Sequence, residues 1–428
     1  MSNRLSGLVL LVCSFIAFFI VSRPLLTPVL RVLSLDTQIL SQPVFLGFSA
    51  AIVRGNSCLA TLGVTGLSEG ASLSFPLAHP LICIGTDTLI TVDVNGVVRA
   101  YASDAKTLKW EHPTTIGGGV LPLILPQNRL LISNAPAVSL SPKSSPSELT
   151  FSPATHPDVR LTGSSSTTVP DYALELLDGT TGKTIWTSPL PGKPLSVVTD
   201  KVIACVHSAG GGKSPALHLS VIDSLSGRPL WTLEEGVDDR PPLLSQSRLS
   251  ICIANGKPVV LEQTSGKEVL RHRGVGLCIG ALLDNQLVVL GGGGTMIECV
   301  AIEGSGSWSR TMNSTINSCV HQGPYLYVVN GTGLVCIRHE SGEILWQQDI
   351  GAPSAAFACS TGAAVVYREG LLMRDTYMSL FAPETGNRLW TIADEAPFYA
   401  PISLPGMQVV CTRAGKIFFL ATSLTEVR

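Results

Sequence analysis

Few side chains in this chain have the types and spacing for chemistry. Asp178 and Asp223 recur eight residues before a tryptophan and four before a glycine, in "LLDGTTGKTIW", which ends at Trp186, and "VIDSLSGRPLW", which ends at Trp231. Such carboxylates could act as bases or bind a cation. An aspartate three residues ahead of Thr or Ser in a tight turn instead caps the turn's amide groups, and that is the role expected of both. "HSAGGGKS" (207–214) carries the glycines and lysine of a phosphate-binding loop. That loop needs a glycine five residues before Gly212, where His207 stands, and a helix behind it, where "ALHLSVID" reads as a strand. "GGGG" at 291–294 reads as a turn in the same way. The eight histidines are dispersed without metal-ligand spacing, and no G-x-S-x-G elbow sits between a strand and a helix.

The eleven cysteines lie mostly in apolar runs such as "VIACV" and "SICIA", and no C-x-x-C occurs. Zinc ribbons, dithiol redox centres and C-x-x-C-H haem attachment drop out. The thiols are expected as small buried hydrophobes, with one or two disulfides if the chain is exported. A net charge of −2 and the lack of any Lys/Arg block exclude a nucleic-acid footprint.

The elements that position these residues follow from composition. With 45% hydrophobic residues the core material is ample, and 41 Gly and 28 Pro require many turns and few long helices. Residues 5–22, "LSGLVLLVCSFIAFFIVS", carry no charge. As a helix they reach roughly 27 Å, enough to span a bilayer core. No small-residue cleavage site follows, so an uncleaved signal anchor is expected, with a cleaved signal as the alternative. Residues 140–170 are Ser/Thr/Pro-rich and are expected to form a disordered surface loop.

All six tryptophans occupy the last position of one eleven-residue frame: Trp110, Trp186, Trp231, Trp308, Trp346 and Trp390. The seventh position holds Gly182, Gly227, Gly266, Gly304, Gly342 and Gly386. Leu270 replaces the tryptophan in the copy that carries Gly266, and the copy ending at Trp110 lacks the glycine. The copies end 76, 45, 39, 38, 38 and 44 residues apart, the 76 containing the 140–170 insertion. A period near 40, with β-branched runs of four to six residues between copies, predicts a β-propeller of four-stranded blades. Seven copies are visible, and the residues after Trp390 supply a further partial blade. Eight blades are expected, seven being the alternative, with part of 55–80 completing the last blade. The expected organisation is an N-terminal membrane anchor with a transmembrane helix (1–34), a linker (35–54) and the propeller (55–428).

The frame A-x-D-x-x-T-G-x-x-x-W is similar to the tryptophan-docking motif of the pyrroloquinoline-quinone (PQQ) type propellers. That superfamily holds quinoprotein alcohol dehydrogenases and the non-enzymatic BamB propellers of outer-membrane assembly. The resemblance covers roughly residues 80–428. A dehydrogenase would need a PQQ-stacking pocket, a Ca²⁺ site and a catalytic Asp, and the best-known ones place vicinal cysteines over the quinone. This chain has no Cys-Cys pair, and all six tryptophans are already assigned to the repeat. The resemblance therefore implies a BamB-like scaffold without catalytic residues, cofactor or metal. It would be tethered to the membrane by the N-terminal helix on the periplasmic side, and would bind protein partners through its loops. The alternatives are a PQQ-dependent oxidoreductase and a luminal propeller of the endoplasmic reticulum, for which the sequons at Asn313 and Asn330 would matter.

Overall fold

Short β-branched runs bounded by Gly, Asn and Asp pair with their chain neighbours into nine antiparallel sheets of four strands each. The computed structural model describes residues 29–421 apart from 47–48, 56, 64–65, 115–121, 134–171, 210–215, 254–255, 275–277, 284, 292–293, 305, 360, 369–374 and 405–406. Blades 1 to 8 span residues 44–72, 82–113, 123–189, 194–233, 243–271, 278–311, 316–349 and 352–394, and each lays down its strands a to d in chain order. Blade 9 takes strands a to c from Ile402–Leu404, Met407–Cys411 and Lys416–Ala421, and strand d from Val29–Ser34. Around most of the ring strand a of one blade lies beside strand a of the next, so the a strands form the hub and the d strands the rim.

Nine apolar clusters each straddle one joint between adjacent sheets. Val202, Ala204 and Val206 of blade 4 meet Leu249, Ile251 and Ile253 of blade 5, for example. A sheet inside such a ring is covered on both faces. This is why strand b of blade 4 reads "VIACV" with every residue buried, instead of alternating apolar and polar.

Among the described residues the ring has nine blades, not eight or seven. Residues 44–72, expected to be linker and part of the last blade, form a complete sheet of their own. Its strand d, "GLSEGAS", lacks both tryptophan and the Thr/Ser-Gly turn, so a search by repeat passes over it. The last blade is completed by Val29–Ser34, from the stretch assigned to the anchor, which pairs antiparallel with Lys416–Ala421. The remainder of the expected anchor, including the apolar run 5–22, and the 140–170 insertion lie outside the described residues. Among the described residues no helix is long and apolar enough to cross a membrane.

Antiparallel order sorts the connections by face. The a–b and c–d turns lie on one face, and the b–c and blade-to-blade connections on the other. The connections bounded by Ser133 and Ala173, Ala209 and Ala216, and Arg368 and Thr376 are all b–c connections and so leave from the second face.

The chain from blade 9 into blade 1 fastens the ring. Leu35 N–H donates to the Gly415 carbonyl at 3.0 Å, and the Tyr399 hydroxyl donates to the Ile39 carbonyl at 2.9 Å. The Gln42 amide makes two bonds to Ala400, donating to its carbonyl and accepting from its amide, each at 3.1 Å. Replacing Gln42 by Ala removes both and leaves the half-buried Ala400 groups unpaired. Urea unfolding should show a loss of about 1–3 kcal/mol; an unchanged midpoint would mean that this fastening adds nothing.

Candidate functional site

The repeated motif meets its neighbour at five of the joints. A methyl group on Gly182, Gly227, Gly266, Gly342 or Gly386 would stand 2.5–2.7 Å from the ring of Trp110, Trp186, Trp231, Trp308 or Trp346 respectively. In each pair the tryptophan belongs to strand d of one blade and the glycine to the c–d turn of the next. The glycine is required twice over at Gly386: its φ is +68°, and the Trp346 ring occupies the space a side chain would need.

The indole N–H completes the contact. Trp110 donates to the Gly179 carbonyl at 3.0 Å, Trp231 to Gln263 at 2.9 Å, Trp308 to His339 at 2.7 Å and Trp346 to Pro383 at 2.8 Å. Each acceptor is three residues before the glycine of its own turn. The Trp186 indole N–H is the exception, buried over Gly227 without a hydrogen-bond partner. Two residues beyond the indole, a second donor reaches the glycine's own carbonyl: Arg310 Nε to Gly342 at 2.9 Å and Gln348 Nε2 to Gly386 at 3.1 Å. Types as different as Arg and Gln serve here, so this position leaves no repeat signal in the sequence.

Trp390 and Gly304 depart from the pattern. Blade 9 has no motif turn, and Trp390 donates to Gln408 Oε1 at 3.0 Å, while Gln408 Nε2 donates to Thr361. Gln408 is fully buried in strand b of blade 9, where nothing in the sequence marks it. Gly304 lies in the turn that would receive the residue at the position of Leu270, and no atom lies within 4 Å of where its Cβ would stand.

The acids of the motif cap turns. Asp178 Oδ1 accepts from the Thr180 and Thr181 amides and the Thr181 hydroxyl at 2.8–3.0 Å. Asp223 Oδ1 accepts the matching bonds from Leu225 and Ser226. Asp104, in the blade 2 turn without a glycine, does the same for Lys106 and Thr107. The Thr107 hydroxyl and the two amides lower the Asp104 carboxyl to about 2.

The remaining chemical candidates sit apart from one another. His207 is buried in strand b of blade 4, its Nε2 2.9 Å from the Ser220 hydroxyl. Nine cysteines among the described residues are free thiols, and burial pushes Cys336 and Cys411 up to about 12. No group of three His, Cys, Asp or Glu among the described residues could hold a metal ion. Of the two sequons, Asn330 is buried and its Oδ1 accepts from the Thr332 and Gly333 amides, whereas Asn313 is exposed.

The face that carries the b–c and blade-to-blade connections is the more varied surface. Leu40, Phe75 and Val94 expose apolar side chains there. An open depression of about 620 Å³ lies between blades 8 and 9, lined by Asp375, Asp394, Glu395 and Lys416. Asp394 is buried with the Lys416 ammonium 2.8 Å from its Oδ2, and Asp375 and Glu395 add two further carboxylates to the lining of that hollow.

Two outcomes follow. Gly386→Ala combines a left-handed backbone with a collision against Trp346, and should cost roughly 2–4 kcal/mol by chemical denaturation. Gly304→Ala meets open space and should cost only the backbone penalty, about 1–2 kcal/mol; equal costs would contradict the contact geometry. Asp104 has a folded pKa below its unfolded value near 3.9, so its ionised form favours folding above that value, and the contribution is lost as pH falls from about 4 toward about 2. Asp104→Asn should flatten the stability profile in that window, read by thermal melts across pH.

Two solved structures of low sequence identity share the fold of this chain, and a third is similar to it. A computationally designed protein, Ika8, is 9% identical, with 91% of this chain and 98% of that one covered and a TM-score of 0.52. The quinohemoprotein alcohol dehydrogenase from Comamonas testosteroni is 11% identical, with 92% and 76% covered and a TM-score of 0.51. BamB from Moraxella catarrhalis is 13% identical, with 82% and 95% covered and a TM-score of 0.49. No curated protein matches the chain. A family model described as outer membrane protein assembly factor BamB matches residues 167–276 and 296–427, more than half of the chain and the stretch that carries five of the six clamp tryptophans. The chain thus belongs to the family of PQQ-like β-propellers that bears the description outer membrane protein assembly factor BamB.

Proposed function

We propose that this protein is a non-enzymatic scaffold of the cell envelope, held at the membrane by its N-terminal segment with the propeller on the periplasmic side. It docks other proteins on the face that bears the b–c and blade-to-blade connections, while the tryptophan–glycine contacts keep the ring closed. The observation that carries this reading is the composition of the hub. The nine a strands read VFL, ICI, LIL, PLSVVT, LLS, CIGAL, INSCVHQ, APSAAFAC and ISL, and contain no Asp, Glu, Lys or Arg.

That wall does not fit a quinone cofactor with its calcium ion. Calcium is a hard cation that takes six to eight oxygens, carboxylates foremost. Here the hub strands offer only neutral oxygens, those of the Asn317 and Gln322 side-chain amides among them, and no carboxylate to balance the charge of the ion. The acids nearest to a hollow, Asp375, Asp394 and Glu395, belong to a surface depression between blades 8 and 9. The opposite face carries the short a–b turns and the c–d turns, five of which are committed to the tryptophan contacts, whereas the proposed docking face combines exposed Leu40, Phe75 and Val94 with a hollow lined by Asp375, Asp394 and Glu395.

Affinity capture of the full chain from solubilised membranes should recover a reproducible set of protein partners. Alanine at Phe75 and Val94 should reduce that recovery without lowering the melting temperature. Adding PQQ and Ca²⁺ to the purified protein should leave the melting temperature unchanged. Recovery of no partner, together with quinone-dependent dye reduction, would reject the proposal in favour of an oxidoreductase.

A further inference from the structure

The joint between blades 5 and 6 is built differently from those on either side of it. Half-buried Leu270 holds the place of the indole. The receiving turn has changed as well. Trp186, Trp231, Trp346 and Trp390 each pair with strand c beside a bulge, whereas Trp308 pairs with Cys299 in an unbroken register. The blade 6 hairpin is consequently one residue shorter, and Gly304 looks onto open space. This joint has lost both the ring and the cradle. Among the described residues its apolar cluster includes buried Val260, Leu282, Leu287, Val289 and Ile302, with Leu270 packed against it.

Ion pairs cross the joint where the ring is missing. The Arg248 guanidinium of blade 5 pairs across the joint with the Glu303 carboxylate of blade 6 and lies 3.9 Å from Glu262 of its own blade. Asn285 fixes the Glu303 backbone from both sides, accepting from its amide at 3.1 Å and donating to its carbonyl at 2.8 Å, so the carboxylate is presented to Arg248. Further along the rim, His272 Nε2 is 3.3 Å from Glu298 Oε2. Nδ1 of the same ring accepts the Gly274 amide, which leaves Nε2 as the donor toward Glu298. The Glu303 side chain is 63% exposed, so water and ions reach the stronger pair.

We propose that the ring is built to open at its rim between blades 5 and 6, and that the Arg248–Glu303 and His272–Glu298 contacts, instead of a packed indole, govern how often it opens. Closely packed joints respond little to salt, whereas an exposed ion pair weakens as ions screen it. The opening is therefore local and sensitive to ionic strength, and the inner part of the joint stays closed where strand a of blade 6 packs on strands a and b of blade 5.

Hydrogen exchange of the full chain, read by mass spectrometry at low and high salt, tests this. Amides of Glu268–Arg271 and Met296–Ala301 should exchange faster than those of Ile344–Asp349 and Thr376–Phe381, which flank the Trp346 joint. High salt should accelerate the first pair roughly threefold or more and leave the second pair unchanged. Glu303→Gln at low salt should reproduce the effect of salt, and Trp346→Leu should bring the blade 7–8 joint to the exchange rate of the blade 5–6 joint. Equal protection at the two joints in the wild-type chain, or acceleration by salt at both alike, would overturn the proposal.

Discussion

An indole ring of one sheet lying flat on a glycine of the next is the contact on which the rest of this structure depends. A four-stranded sheet with two apolar faces has no stable solitary form, so its neighbours must cover it. Near the hub the a and b strands do this with aliphatic side chains. Toward the rim the sheets diverge, and a wider filler is needed. Burying one tryptophan removes roughly 150–250 Å² from water, more than an aliphatic side chain can at the same place. The ring must approach the next turn closely, which excludes a Cβ at that point, and its N–H must find an acceptor, which the carbonyl three residues before the glycine supplies in four of the joints.

Because that contact recurs around the ring, the architecture spends its distinctive side chains on holding itself together. The tryptophans point into joints, the motif acids cap turns, and the hub strands carry no Asp, Glu, Lys or Arg. One face varies most in the length of its connections. It bears exposed Phe75 and Val94 and the hollow beside Asp375 and Glu395. A fold shared with a quinohemoprotein alcohol dehydrogenase at 11% identity carries no chemistry by itself, because function resides in the side chains placed on the fold.

Much of the ring was legible in the sequence where a residue had no substitute. Only glycine fits beneath the indole, so Gly182, Gly227, Gly266, Gly342 and Gly386 mark their turns, and the tryptophans mark their strands. Blade 1 and the closing strand were not legible. Residues 44–72 hold their joints with backbone and aliphatic contacts that many sequences could make, Gly70 against Ala105 and Ala71 N–H on the Ala105 carbonyl at 2.7 Å among them. Val29–Ser34 pairs through its backbone, which leaves no signature of residue type. The same reasoning explains why Gln408 passed unnoticed: its role arises from a buried indole that reaches it from another blade.

The central claim is that ring and glycine act as one unit across the five joints where they meet, and a double-mutant cycle on Trp346 and Gly386 measures this directly. Trp346→Ala, Gly386→Ala and the double variant would be unfolded in urea beside the wild type. The account predicts coupling of more than about 1 kcal/mol, with the alanine at 386 costing only its backbone penalty once the ring is gone. Strict additivity of the two single costs would show that the ring and the glycine do not act on each other, and the closed circle would need another explanation.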